Sequence, residues 1–275
     1  MKILKLLFDF YINASIHVAF SVYALVCITE IYFDLPDNIN LNYFLFFGTI
    51  TGYNFVKYAG VAKLHHRSLT NDLKIIQIFS FFAFIALCYY SYQISIHTLY
   101  FTAPFCLLTI LYAVPFLSGF EKNLRQISYL KIIVVALVWA AFTVFIPLVD
   151  AGKEITLSIV LLLLQRFLIV VVLILPFDIR DVKYDSISLQ TIPKKIGVEK
   201  TKKLGLILLV FSLVLEYLST SSNTVKTPFM LFFFLIILFL MRAKINQSKY
   251  YSSFWVESLP IIWWLFLLGF DNFKG

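Results

Sequence analysis

The chain has 275 residues, of which 61% are hydrophobic and 14% charged, and its mean hydropathy is +0.88. A soluble domain carries about 25% charged and about 45–50% apolar residues, so this composition excludes a water-soluble globular enzyme and points to an integral membrane protein. The net charge of +8 would suggest nucleic acid in a soluble chain, but here it reflects where the basic residues sit between apolar runs, and no nucleic-acid partner is expected.

The opening MKILKLLFDFYINASIHVAF begins like a signal peptide, but Asp9, Asn13 and His17 interrupt it and no small-x-small cleavage site follows. A retained first helix is expected. Apolar runs near the ~20 residues needed to cross a bilayer recur about nine times along the chain. They lie near Tyr11–Phe33, Leu41–Ala62, Leu73–Gln93, Ile96–Leu117, Tyr129–Val149, Ile155–Phe177, Leu204–Ser219, Pro228–Met241 and Phe254–Phe270. The third and fourth are divided only by the weakly polar Ser91–Ser95, and the seventh and eighth are short. Thirty Phe and sixteen Tyr suit such helices, with aromatic belts at the interfaces. Cys27, Cys88 and Cys106 fall inside apolar runs without metal-ligand spacing, and read as small core residues.

The basic residues give the topology. The N-terminus and the connections after spans two, four, six and eight hold nineteen of the 23 Lys and Arg; the other side holds only Lys153, Lys226 and Lys274, and Arg166 lies inside span six. Under the positive-inside rule the N-terminus is cytoplasmic and the C-terminus is on the outer side. No loop is long enough for a separate soluble domain, so one membrane domain over 1–275 is expected.

The most heavily charged connection follows span six, where Phe177–Gly197 reads FDIRDVKYDSISLQTIPKKIG. Asp178, Asp181 and Asp185 are spaced i, i+3 and i+7, which places three carboxylates on one helical face if the helix continues. Like charges that close disfavour one another unless a cation sits among them. Oxygen donors without His or Cys suit Mg²⁺, which commonly bridges to substrate phosphates. Arg180, Lys183, Lys194 and Lys195 stand in or close behind the run and suit a polyanion. The competing reading is an acidic, salt-bridged helix end in water. Spacing by itself leaves both open.

Asp178-x-x-Asp181-x-x-x-Asp185, followed by Thr191-Ile-Pro193 and Gly197, resembles the second aspartate-rich motif of the UbiA-type intramembrane prenyltransferases. Tyr112-x-x-Pro115 with Lys122, Arg125 and Lys131 resembles that family's connection between spans four and five. The resemblance implies an all-α bundle of about nine transmembrane helices around a central cavity capped on the cytoplasmic side. It implies a multi-pass enzyme that transfers a prenyl group from a polyprenyl diphosphate to a hydrophobic, aromatic or lipid-like acceptor with Mg²⁺ as cofactor. Asp178, Asp181 and Asp185 would be the metal-holding catalytic residues. Asn54, Lys57, Tyr58, Arg67, Tyr112, Lys122, Arg125, Arg180 and Lys183 would bind substrate.

The family's first motif, roughly Asn-x-x-x-Asp-x-x-x-Asp after span two, is altered: Asn54 is present, but Tyr58 and Ala62 stand where the two aspartates belong. Three outcomes follow. One metal is used, with Lys57, Lys63, Arg67 or His65-His66 replacing the other cation; the substrate carries less phosphate; or the chain is a catalytically silent binder of lipid or a partner protein. A small-solute transporter is a further alternative, built on Arg166 and the glutamates Glu30, Glu216 and Glu257 near or within spans. Arg166 with Glu216 also reads as a structural ion pair, and Asn13, Ser15 and His17 as interhelical hydrogen-bonding groups. Tyr53, Tyr58 and Tyr112 read as belt residues or as rings facing an allylic cation.

Overall fold

The computed structural model describes residues 2–58, 71–113, 130–183, 191–219 and 222–272, and within them every regular element is a helix. In order these are α1 (Lys2–Asn13), α2 (Ile16–Phe33), α3 (Ile39–Tyr58), α4 (Asn71–Gln93), α5 (Ile96–Ala113) and the rod Leu130–Asp150, made of α6 (Leu130–Ala140), a π turn and α7 (Ile146–Asp150). There follow α8 (Leu157–Asp181), the short α9 (Ile192–Ile196), α10 (Val198–Ser219), α11 (Asn223–Arg242), a second π turn (Tyr251–Val256) and α12 (Leu259–Asn272).

Seven of the described segments are long and apolar enough to cross a bilayer. Helices α3 and α10 have the length, at 20 and 22 residues, but carry Asn42, Asn54 and Lys57 in one and Glu199, Lys200, Lys202 and Lys203 in the other. They lie along α4 and α8. All nine apolar runs thus correspond to long helices or helical rods, and α10 and α11 begin earlier than their apolar runs do. Local chemistry sets the breaks. Ser95 Oγ accepts the Thr98 amide at 3.0 Å, Asn38 Oδ1 accepts that of Leu41 at 3.2 Å, and Thr156 Oγ1 that of Ile159 at 3.4 Å, satisfying amides that helix starts leave unbonded.

The first run departs from expectation. Its helix is broken at Ser15, which takes the left-handed conformation with φ 63°, so α1 and α2 are separate. Helix α1 exposes Ile3, Leu4, Leu6 and Leu7. A second departure is the π turn Ala141–Phe145, just before Pro147. Proline brings no N–H and crowds the carbonyl four residues back, here that of Thr143. That carbonyl instead accepts Thr29 Oγ1 at 2.6 Å, which ties the rod to α2. The π turn at Tyr251–Val256 likewise precedes a proline, Pro260.

The main core lies among α2, α6, α8, α10, α11 and α12, with Trp263 fully buried and stacked on Phe232 at 4.6 Å between ring centres. Gly205 allows the closest approach: a Cβ there would stand 2.6 Å from Leu240 Cδ2 and 2.9 Å from Leu175 Cδ1. Arg166 is fully buried in the same region. Its Nη1 donates to the Leu25 carbonyl at 2.8 Å and to Thr143 Oγ1 at 3.3 Å, Nη2 donates to Thr29 Oγ1 at 3.4 Å, and the guanidinium lies 5.4 Å from the Trp263 ring centre. Glu216 accepts from Tyr32 Oη at 2.8 Å and Gln165 Nε2 at 2.6 Å. Arg166 and Glu216 feel each other's charge but make no direct ion pair among the described residues; the expected pair is a shared polar network. Side chains of α4 and α5 such as Phe81, Phe82, Tyr92, Leu107 and Ile110 face outward, as lipid contact requires. Cys88 and Cys106 are exposed and only Cys27 is buried, so two of the three cysteines are not core residues.

Candidate functional site

Pro176 near the end of α8 does not stop the helix, which runs on through Asp181. Asp178 and Asp181 therefore share one face, a turn apart. Asp178 is 1% exposed and accepts Lys131 Nζ, from the start of α6, at 2.8 Å. Asp181 is paired with Arg180 through contacts of 2.7 and 3.3 Å, and the Arg180 guanidinium lies 5.4 Å from the Phe177 ring centre. A carboxylate buried as deeply as Asp178 is costly unless a cation compensates it, and Lys131 provides that. Lys183 is exposed just beyond the helix. Asp185, Arg67, Lys122 and Arg125, and Ala62 of the altered motif, lie outside the described residues.

Downstream, Thr191 is buried in extended backbone before α9, and its carbonyl accepts the Lys194 and Lys195 amides at 3.1 and 3.0 Å. Gly197 turns the chain into α10 at φ 86°, ψ 157°, a conformation essentially confined to glycine. Thr-x-Pro and Gly are thus the hinge that returns the chain to the bundle.

The end of α3 meets the α1–α2 break. Asn54, 3% exposed, donates to the Ala14 carbonyl at 3.0 Å and Ser80 Oγ at 2.8 Å, and its Oδ1 accepts Ser15 Oγ at 2.7 Å. Its amide is committed to joining α2, α3 and α4. Lys57 Nζ donates to Ser15 Oγ at 2.8 Å, and Tyr58 Oη to the Asn13 carbonyl at 3.1 Å. Tyr53 Oη accepts Trp139 Nε1 at 2.9 Å, and Tyr112 is 5% exposed within electrostatic range of Lys131 and Tyr53.

A further acid enters from α12's approach. Glu257 follows the π turn, where Phe254 stacks on His17 at 4.8 Å between centres and its carbonyl meets His17 Nε2 at 2.9 Å. Ser21 Oγ donates to the Glu257 carbonyl. Gln247 donates to the Pro176 carbonyl at 3.1 Å and holds this segment to α8. These contacts bring Glu257 within the fields of Lys57 and Arg180. Lys57 is solvent-exposed and Glu257 is partly so.

Among the described residues Lys131 and Arg180 pair with Asp178 and Asp181 at the end of α8, and Lys57 and Glu257 lie within electrostatic range of each other. Asp178 and Asp181 are sequence-predicted and lie beside Lys131 and Arg180. Glu257 as a site residue is not. It sits 76 residues beyond Asp181 in sequence, and its only advance signal is an acid at the head of an apolar run.

The donor set at the end of α8 is all oxygen and fits a hard divalent ion. Among the described residues no three His, Cys, Asp or Glu stand close enough to form a metal site on their own, so a Mg²⁺ site here would draw on Asp178 and Asp181 and, from outside those residues, Asp185.

No family model matches the sequence, and no curated protein matches it significantly. Solved structures do match in fold. A UbiA homolog from Archaeoglobus fulgidus bound to GPP and Mg²⁺ superposes with a TM-score of 0.61 at 11% identity, covering 96% of this chain and 99% of that one. The same homolog bound to DMAPP and Mg²⁺ gives 0.58 at 13% identity over 96% and 99%. A digeranylgeranylglyceryl phosphate synthase gives 0.59 at 17% identity over 99% and 100%. Likeness over nearly the whole of both chains, with the aspartate pair at the end of a long helix, makes this an all-α membrane bundle with the fold of the UbiA-type intramembrane prenyltransferases.

Proposed function

We propose that the protein transfers a prenyl group from a polyprenyl diphosphate to an aromatic or lipid-like acceptor within the membrane, with Mg²⁺. The observation that carries this is the Asp178–Asp181 face, set against Lys131 and Arg180, in a fold whose solved examples include one bound to GPP and Mg²⁺. When bound, Mg²⁺ would neutralise charge on the departing diphosphate, held by Asp178 and Asp181 with Asp185.

The chain's own groups supply the rest. Lys57, Lys131 and Arg180 are donors for diphosphate oxygens as negative charge develops on them. The bond from the prenyl C1 to the diphosphate oxygen breaks and its electron pair leaves with the diphosphate. The acceptor then bonds to C1 and gives up a proton. Tyr53 and Trp139, joined by their hydrogen bond, offer aromatic surface toward an allylic cation, and a water-poor hollow protects that cation from hydrolysis. Lys57, one residue before the position of a missing first-motif aspartate, supplies positive charge where a second metal would otherwise be held. The positive-inside distribution supports a site that opens to the cytoplasm.

A second reading is a catalytically silent binder of prenyl diphosphate or lipid. It is favoured by Tyr58 in an aspartate's place and by the full commitment of Asn54 to structural bonds. Purified protein supplied with labelled geranylgeranyl diphosphate, Mg²⁺ and a panel of phenolic and glyceryl phosphate acceptors separates the two. Product lost in Asp181→Ala supports the enzyme. Metal-dependent binding without product from any acceptor supports the silent form.

A further inference from the structure

We infer that α1 is a membrane-surface helix, lying along the cytoplasmic leaflet with its aliphatic side in the headgroup–acyl boundary and its lysines serving anionic phospholipid. The inference stands apart from the diphosphate site and does not depend on prenyl transfer.

Helix α1 is turned aside from the span that follows it. Ser15 ends it in the left-handed conformation, with its amide on the Ile12 carbonyl at 3.1 Å, a common way for a helix to stop. Nine residues of unbroken helix would rise about 13.5 Å and point to opposite sides, yet the Tyr11 and Phe20 rings are 6.4 Å apart. Tyr11 Oη also meets His17 Nδ1 at 2.8 Å across the break. Beyond it, α2 has 18 residues and is about 27 Å long, close to the ~30 Å of the hydrocarbon layer, and it is apolar enough to cross alone. The 12 residues of α1 are therefore left at the surface.

The charged neighbours fix the level. Asp9 is paired with Lys249, which is 62% exposed, and the exposed Lys57 donates from Nζ to Ser15 Oγ at 2.8 Å. Charges in such open surroundings belong at the interface, not among acyl chains. Lys57 and Lys249 both stand on the basic side of the bundle, which the positive-inside rule makes cytoplasmic.

One side of α1 is spent on the protein. Phe8 packs edge-on against Tyr250 and Phe254, at 5.1 and 5.0 Å between centres, Asp9 accepts from Lys249 and Tyr250, and Ile12 is buried. The other side carries Ile3, Leu4 and Leu7, with Leu6 at its edge, all 59–76% exposed. Phe10 joins that side to Phe79 of α4, 5.4 Å between centres, where Ile75 and Ile78 also face outward. The aliphatic side of α1 thus runs on into the lipid-facing surface of the bundle, and this continuity identifies its occupant as lipid. Lys5 is exposed beside the leucines, and Lys2 adds a second positive charge to the same helix. Aliphatic side chains bordered by lysines suit the surface of an anionic bilayer.

The test is spin-label accessibility in the full chain in lipid nanodiscs, with the exposed Cys88 and Cys106 replaced by Ser and the buried Cys27 kept. Labels at Ile3→Cys and Leu7→Cys should meet dissolved oxygen more than a water-soluble nickel chelate, as a label at the lipid-facing Phe82→Cys does. A label at Lys5→Cys should show the reverse, as one at the loop position Lys153→Cys does. Changing the lipid from phosphatidylcholine alone to a mixture with phosphatidylglycerol should move the labels at 3 and 7 further toward oxygen, and Lys2→Gln with Lys5→Gln should abolish that shift. Labels at 3 and 7 as open to the chelate as the one at 153 would place α1 in water and overturn the proposal. Oxygen preference at 3, 5 and 7 alike would make α1 part of the span, and shielding of 3 and 7 from both reagents would mean that protein, such as a second copy of the chain, covers the face; either result overturns it too. No shift with phosphatidylglycerol, or a shift that survives loss of both lysines, would overturn the recognition of anionic lipid.

Discussion

Lys131→Met removes the ammonium that reaches Asp178 at 2.8 Å and keeps most of the stem's volume. Asp178 is 1% exposed and the Lys131 side chain 20% exposed, so the loss leaves a buried carboxylate short of its counter-charge. Truncating one partner of a buried pair costs about 3–5 kcal/mol. Lys131's contact with solvent places this case near the lower end, about 3 kcal/mol. At roughly 2–4 °C per kcal/mol for a chain of this size, the unfolding midpoint should fall by about 6–12 °C. Asp178→Asn in the same chain should restore most of that, because an amide needs no cation. Mg²⁺ should raise the midpoint of Lys131→Met more than that of the double variant, since only the former retains the charge to bind it. Thermal unfolding in detergent, with and without Mg²⁺, reads all three effects. A Lys131→Met midpoint indistinguishable from wild type, or a double variant no more stable than the single, would contradict a stabilising role for the Lys131–Asp178 pair.

Gly205→Val should destabilise by about 1–3 kcal/mol, because Leu240 and Leu175 already lie within 2.6 and 2.9 Å of a Cβ at that position. Gly269→Ala, with nothing within 4 Å, should instead gain up to about 1 kcal/mol from helix propensity; midpoints that move in the same direction would contradict the packing described for α8, α10 and α11. Asp9 accepts Lys249 Nζ at 2.5 Å and Tyr250 Oη at 2.8 Å, and those donors hold its carboxyl below the ordinary 3.8. A depressed carboxyl stabilises above its unfolded pKa and ceases to do so as pH falls through its folded one. The midpoint difference between wild type and Asp9→Asn should therefore be present at neutral pH, shrink below about pH 4 and weaken with salt, since Lys249 is largely exposed. A difference that grows toward acid pH would reverse the assignment.

Hydropathy located the helices because lipid leaves few alternatives for the backbone. It missed the Ser15 break and the π turns because these depend on which neighbour takes a released carbonyl, as Thr29 does at Thr143. Asp178 and Asp181 were legible from spacing, since i and i+3 on a helix share a face. The pairing of Asp178 with Lys131 was not, because it needs the α6–α8 contact, whereas Arg180 is simply the neighbour of Asp181 on α8. Asn54 illustrates the limit of motif reasoning: its position matched a family pattern, yet its amide is used to clamp α3 onto α2 and α4. Glu257, one of the glutamates grouped with Arg166 in the transporter alternative, lies within electrostatic range of Lys57 and Arg180 instead, while Arg166 is served by carbonyl, hydroxyl and ring groups.

In the proposed reaction the acids closing α8 grip a divalent ion and, through it, a diphosphate. Calorimetric titration of geranylgeranyl diphosphate into wild type and Asp181→Ala, each with Mg²⁺ and with chelator, measures it directly. Saturable binding to wild type that requires Mg²⁺ and is lost in Asp181→Ala is the outcome expected. Binding of equal strength in all four arms, or none in any, would contradict it.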